Sequence, residues 1–386
     1  VRSESTGGEG NANIAVRGLP VASGGAKFLQ LQEDGLPVMQ FGDIAFGNAD
    51  IFMRLDSTVQ SVESIRGGSA STAASDAPGG IINFISKTGE NESGSVSTTV
   101  GLDYDSIRTD FEYGTYLNDS VRYHIGGFVR QGEGPRETGY TSNKGGQIKA
   151  NLTKEFDAGY VRVYFKHLDD KSVGYLPMPM YSDGDSIPGF DSQSDTPHSA
   201  LFTQTLRLNG DNQISTGDMT DGMNPVVTSV GFEAAFDLEN DWRIENRFRT
   251  SSVSGNFISL IPAEVASASS IASSIAGDGA SLVYANGGSA GEAYGDDDLA
   301  MRIHTFDVTL NDMGSIVNDL KLTKSFSDDT SVTFGYFASS QSIDMSWLWN
   351  SYVMELKGDN AALLDVTAAN GDSYSDNGLY AYGTPY

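Results

Sequence analysis

The chain has 386 residues, and its 51 acidic side chains outnumber the 24 basic ones for a net charge of −27. Such a surface repels nucleic-acid phosphates and offers no polybasic hold on an anionic membrane surface. The absence of cysteine excludes disulfides, thiolate nucleophiles and cysteine-ligated metals, and no run of about 18 apolar residues is present to form a transmembrane helix. Two classes remain, a soluble protein and a membrane β-barrel. The 45 glycines, 17 tyrosines and 19 phenylalanines suit the second, with glycine in turns and aromatics in interfacial girdles. The chain starts at Val1 and is polar from the outset, so processing or truncation is expected to have removed its beginning.

Residues 1–90 read as a mixed α/β unit. Ile14 to Arg17 and Phe28 to Glu33 have strand patterns, Asp34-Gly35 makes a turn, and Ala49-Asp50 opens a short helix over Ile51 to Leu55. Val59 to Ile65 alternates as a half-buried strand does, and Gly67-Gly68 turns the chain. The small residues Ser69 to Ser75 are compatible with a helix, Pro78-Gly79-Gly80 stops it, and Ile81 to Lys87 is a further strand. A soluble α/β protein uses the same strand–turn–strand. No G-x-G-x-x-G follows a strand here, so a nucleotide-binding fold is not indicated.

From Ser93 the texture changes to long alternating strands. Ile107, Thr109, Phe111, Tyr113 and Leu117 share one face, with Arg108, Asp110 and Glu112 on the other. The next strands repeat this. Arg122, His124 and Arg130 oppose Tyr123, Ile125 and Val129; Lys149 opposes Ile148; Arg162 and Lys166 oppose Val161, Val163 and Phe165. Arg243, Glu245, Arg247 and Arg249 oppose Trp242, Ile244 and Phe248. A soluble sandwich alternates too, but these strands are long, about 10 to 14 residues against the usual 5 or 6. Short connections near Asn118, Asp157, Asn240 and Asp328 also alternate with long ones, at about 131–144, 171–225 and 256–301. That is the dyad pattern of a membrane barrel, apolar outward and charged inward. With the first strand running outward, the count closes at nine if 302–326 is one strand. Its membrane part is then Ile316 to Phe326, with Arg302 to Leu310 as an extension beyond a break at Asn311 to Gly314. Val332 to Ser342 is the ninth. The stretch Pro262 to Ala276 has helical spacing, and Ser346 to Tyr386 shows no strand long enough to span.

Four signatures occur in one order: Arg17-Gly18, Asp34-Gly35, the V-E-x-x-R-G of Val62 to Gly67, and the G-G-x-I-N-x-x-x-K of Gly79 to Lys87. Together they resemble the plug domain of TonB-dependent outer-membrane receptors. The resemblance implies a membrane β fold, a partial antiparallel transmembrane barrel of about nine strands with an N-terminal α/β plug. Residues 1–90 would be the plug, truncated at its start, and 91–386 the N-terminal part of a 22-stranded barrel. Nine strands do not close around such a plug, so the chain is expected to be a fragment. The resemblance further implies that Arg17, Gly18, Asp34, Gly35, Glu63, Arg66, Gly67, Gly79, Gly80 and Asn83 form plug signatures and plug–barrel contacts. The inward charges are then expected to pair in part with Arg17, Glu63 or Arg66.

By the same resemblance, the partners are outer-membrane lipid, an external small or oligomeric solute, and the TonB–ExbB–ExbD complex, reached through a segment missing here. The function implied is active import without covalent chemistry or a cofactor. Ligand contacts are expected on Leu19 to Ala26 and Val38 to Asn48, with Gln40, Phe41 and Phe46 as candidates, and on the long loops. The residues support no catalysis: His124, His167, His198 and His304 are dispersed, and no nucleophile–base motif appears. Asp183, Asp185, Asp211, Asp218 and Asp221 are only loosely like calcium loops and lack EF-hand spacing. A passive porin and a surface β-protein acting as an adhesin stay open as alternatives.

Overall fold

The structure is a computed structural model that describes residues 2–4, 13–15, 28–40, 49–67, 74, 77–175 and 177–383. Strands β1 (Arg2–Glu4) and β2 (Asn13–Ala15) form a small antiparallel pair. A four-stranded sheet follows, built from β3 (Leu29–Glu33), β4 (Leu36–Pro37), β5 (Val59–Ile65) and β6 (Gly80–Ser86), in the order β4-β3-β6-β5. Strand β3 runs parallel to β6, and β5 antiparallel to it. The helix expected at Ile51 to Leu55 is a single 3-10 turn, Ala49–Phe52. It ends early because Arg54 Nη1 takes the carbonyls of Ile51 and Met53, both at 2.9 Å. The small helix expected over Ser69 to Ser75 falls almost wholly outside the described residues.

The rest of the chain builds one large antiparallel sheet with its connections. Its strands begin with β7 (Ser93–Val100), β8 (Ser106–Asn118), β9 (Val121–Gly132), β10 (Asn143–Phe156) and β11 (Gly159–Lys171). A hairpin, β12 (Gln204–Leu208) with β13 (Ile214–Asp218), lies in the next connection, before β14 (Met223–Leu238) and the 26-residue β15 (Trp242–Ser267). Helix α1 (Ala268–Ala276) and β16 (Ser281–Tyr284) precede β17 (Leu299–Asp312), β18 (Ser315–Ser327), β19 (Thr330–Gln341) and β20 (Asp344–Glu355). Two short strands, β21 (Leu364–Thr367) and β22 (Leu379–Tyr382), end the described chain.

Strand β15 explains the count. Its first part, Trp242 to Ser251, pairs with β18, and its second, Gly255 to Ser267, pairs with β17. Thus β17 and β18 are one ribbon interrupted at Met313-Gly314, as the residue pattern around 302–326 implies. Strands β20 and β19 repeat the arrangement alongside, β20 on β17 and β19 on β18. Among the described residues the large sheet therefore has nine long ribbons, with the short β22 paired on β20 beside the last of them. Two expectations need correction. Beyond Ser342 the ninth ribbon continues for the twelve residues of β20; its Tyr352, Val353 and Met354 are buried on both faces, which hides the period of two. Pro262 is not a helix start. It sits at a bulge in β15, where its missing N–H is tolerated, and α1 begins six residues later behind the cap Ser267.

The two faces of the sheet have opposite character. Val96 is 76 % exposed, Phe334 63 % and Tyr336 66 %, while His124, on the other face, is 2 % exposed. Apolar side chains look outward and polar ones are covered, the reverse of a water-soluble sheet. The covering body is the small four-stranded sheet. Its Leu29, Leu31, Val38, Ile51, Phe52 and Met53 share one core with Leu168, Val227, Val253, Phe257, Phe306 and Val308 of the large sheet. Among the described residues β7 pairs only with β8, and β19 only with β18.

Candidate functional site at the seam between the two sheets

Several signature residues converge on one turn. Asp34 (φ 51°) and Gly35 (φ 83°) form the two-residue link between β3 and β4, with Glu33 opposite Leu36. Positive φ at both positions is the hairpin geometry that Asp-Gly favours. The Asp34 carboxylate accepts from the Ser86 amide and hydroxyl, both at 2.8 Å, and Asn83 Oδ1 accepts from the Gly35 amide at 2.9 Å. Asn83 Nδ2 in turn donates to Glu63 at 3.3 Å. The D-G and G-G-x-I-N signatures are thus two sides of one lock between the β3–β4 turn and β6. Gly80 (φ 140°) brings the start of β6 so close to β5 that a Cβ there would lie 2.2 Å from the Ile65 carbonyl oxygen. The Gly79 amide donates to Phe28 at 2.7 Å and begins the parallel pairing.

The seam holds two buried ionic clamps. At the inner one, Glu33 receives Lys149 Nζ at 3.0 Å and Lys166 Nζ at 2.7 Å. Burial works against the Glu33 charge, but Lys149, Lys166 and Arg249 outweigh it and hold the carboxyl well below the usual range. At the outer clamp, Asp170 is fully buried between Arg54 of the small sheet and Arg130 of the wall. Arg54 Nε reaches it at 2.6 Å, and Arg130 holds it in bidentate fashion at 2.6 and 2.7 Å.

Between the clamps, wall side chains seek backbone carbonyls and carboxylates of the small sheet. Arg108 bonds the Leu55 carbonyl at 2.7 Å, Gln147 bonds Asp56 at 2.7 Å, and Arg249 bonds the Pro37 carbonyl. Lys87 donates to Glu112 of the wall at 3.0 Å, and the same carboxylate meets His124 at 2.9 Å. A polar cleft of about 350 Å³ opens beside the turn, between Glu63 and Asn83 on one side and Arg162, Glu233, Arg247 and Lys321 on the other.

The expected contact residues are therefore only partly those at the seam. Glu63 and Arg66 lie at the exposed end of β5, Glu63 facing the cleft, and Gly67 turns with φ 69°. Gln40 meets the wall through its backbone, whose amide donates to Gln341 at 3.2 Å. Arg17, Gly18, Phe41 and Phe46 lie outside the described residues, as do most of the two apical loops. Residue reasoning missed Glu33 and Arg54, and carried Lys87 only as the last position of the G-G-x-I-N-x-x-x-K signature. Arg54 had left a signal, a lone cation in the apolar run IFMRL, where a buried charge needs a partner. Glu33 at the end of a strand left none.

The long connections hold themselves by polar turns and apolar cores. Asp183 and Asp218 accept from the amides of Asp185 and Thr220. The 172–222 connection packs Phe190, Phe202 and Met219 on Ile258, Ile303 and Tyr352, the outward face of the extended ribbons. Helix α1, β16 and β21 pack on Ala300 and Val353, the inward face. The two connections straddle the wall.

The chain is similar to the solved structure of the FpvAI–pyocin S2 complex, with 13 % identity and a TM-score of 0.52, over 93 % of this chain and 39 % of that one. It is likewise similar to Pseudomonas aeruginosa FpvA bound to heterologous pyoverdines, with 14 % identity and a TM-score of 0.51, over 95 % of this chain and 41 % of that one. No family model and no curated protein sequence matches the chain. The chain thus spans less than half the length of either solved relative. At this identity the likeness shows the fold, that of a TonB-dependent receptor with a plug seated against part of a β-barrel wall.

Proposed function

We propose that the chain belongs to an outer-membrane receptor that binds a scarce solute outside the cell and imports it with energy from the TonB–ExbB–ExbD complex. Residues 1–90 act as the plug and 91–386 as the first part of the barrel. The observation that carries this reading is the pairing of a lipid-suited outer face with an inner face that holds a small sheet by ionic and hydrogen-bonded contacts. A bare pore has no use for such a filling, and a catalyst needs a nucleophile–base pair that the described residues of the seam do not present. The FpvA structure, bound to pyoverdine iron complexes, supports a solute of siderophore type, with vitamins and oligosaccharides as further classes.

The test uses a background without cysteine. Gln40→Cys and Gln341→Cys, joined by a short bis-maleimide, tie the plug to the wall. The tied protein is expected to bind solute at the cell surface and to lose import; cleaving a reducible version of the linker should return it. Import that persists through the tie sinks the reading.

A further inference from the structure

The geometry points to an asymmetric seating in which Arg54 is the releasable contact of the plug and Glu33 the retained one. This inference rests on the plug reading above, but its test needs neither solute nor energy source.

The two clamps differ in what separation leaves behind. At the outer clamp the plug contributes a cation. When Arg54 withdraws, Asp170 keeps both bonds from Arg130, and Arg54 keeps the carbonyls of Ile51 and Met53, which travel with it. Arg54 gives up its Nε bond to the Asp170 carboxylate and its Nη2 bond to the Asp170 carbonyl at 3.1 Å, but the wall it leaves holds a neutralised ion pair. At the inner clamp the plug contributes the anion. When Glu33 withdraws, Lys149 loses its carboxylate and Lys166 loses both Glu33 and the Phe52 carbonyl, its other plug contact at 3.2 Å. Two adjacent cations are stranded near Arg249, and a buried charge stripped of its partner is far costlier than a pair that was never made.

Asp170 is also placed to sense the outside. It lies two residues before the neck of the 172–222 connection, which is closed by the reciprocal pairing of Ser172 with Met223 at 3.0 and 2.7 Å. Lys171, between them, holds the Thr220 carbonyl at 2.8 Å. A shift of that neck moves Asp170 and loosens Arg54, while the wall at Lys149 and Lys166 is untouched. Loosening that begins outside is thereby confined to the segment around residues 49–59.

Amide hydrogen exchange on the protein purified in detergent tests this by comparing each variant with the parent, segment by segment. Arg54→Gln is expected to speed exchange about tenfold in 51–58 and less than about twofold in β3 and β6. Glu33→Gln is expected to speed all three segments at least about tenfold. Adding Lys149→Met to Glu33→Gln removes one stranded cation and should recover part of the protection, or the fold itself if the single variant does not assemble. The inference is overturned if Arg54→Gln loosens β3 and β6 as much as 51–58, or if Glu33→Gln leaves all three unchanged. The added Lys149→Met recovering nothing would overturn it as well.

Discussion

The lower and upper halves of the same wall are built for different surroundings. Below Met313-Gly314, ribbons such as β18 and β19 leave Ile316, Phe334 and Tyr336 bare on the outward side and turn their charges toward the plug. Above it, the outward side of β15, β17 and β20 is roofed by the 172–222 connection, which buries Ile258, Ile303 and Tyr352 completely or nearly so. There the polar groups are paired within the roof, with Arg207 bidentate to Asp307 at 2.7 Å for both bonds. The inward side of this half is aromatic, with Trp347 and Trp349 against Phe306. Continuous strands thus pass from a zone where apolar residues need no cover to one where they must have it. On the receptor reading proposed above, the break at Met313-Gly314 marks the passage from lipid to water.

Charging each half should break this comparison in opposite ways. The largest effect is expected from Ile258→Asp, which puts a charge under the roof. It should cost about 4 kcal/mol or more, read as a lower denaturation midpoint and faster proteolysis of 172–222. Phe334→Arg is sharper in logic. At an exposed position of a soluble sheet such a change is worth within about 0.5 kcal/mol, whereas on a lipid face it costs about 2–4 kcal/mol. Unfolding in bilayers distinguishes the two, and a neutral result would return the chain to the soluble class.

The roof should also be the acid-sensitive half. His198 is buried, its Nε2–H donating to Gly174 at 3.1 Å and its Nδ1 accepting from Tyr140 at 2.9 Å. Burial pushes its pKa down from 6.5 to about 4. Its unfolded form then binds the extra proton first, so stability is full above about pH 6.5 and falls as pH drops toward 4, by at most about 3 kcal/mol. Protection in 133–142 and 172–222, taken relative to the intrinsic exchange rate at each pH, should therefore fall between about pH 7 and pH 5, and His198→Gln should flatten that response. The smallest change expected is Asp34→Ala, which removes two bonds to Ser86 and should cost the plug about 1–2 kcal/mol while both halves of the wall keep their midpoints.

How far the residues reveal this depends on whether a signal is local. The Asp34-Gly35 turn needs two positive φ angles, and the wall needs a period of two, so both are legible in short windows. The break at Asn311 to Gly314 is legible because polar residues and glycine interrupt an otherwise continuous alternation. Strand β20 is not, since it packs on both sides and loses its period. Strands β12 and β13 are short and lie in a connection of Asp, Ser, Gly and Pro, where they are held by Asp307 and Tyr352, 100 and 147 residues away from their partners. The clamps escape for the same reason. Glu33 meets Lys149 and Lys166 only once β10 and β11 lie against the plug, and no window contains both sides.

The reversed faces of the wall carry a consequence for how such a protein comes to exist. Released into water as a bare polypeptide, these ribbons would collapse with their greasy sides together, stranding lysines and arginines on the outside with nothing to grip. The correct curvature becomes favourable only where hydrocarbon draws those sides apart. On the receptor reading proposed above, assembly is therefore expected to finish at the bilayer, with the filling captured as the wall bends around it.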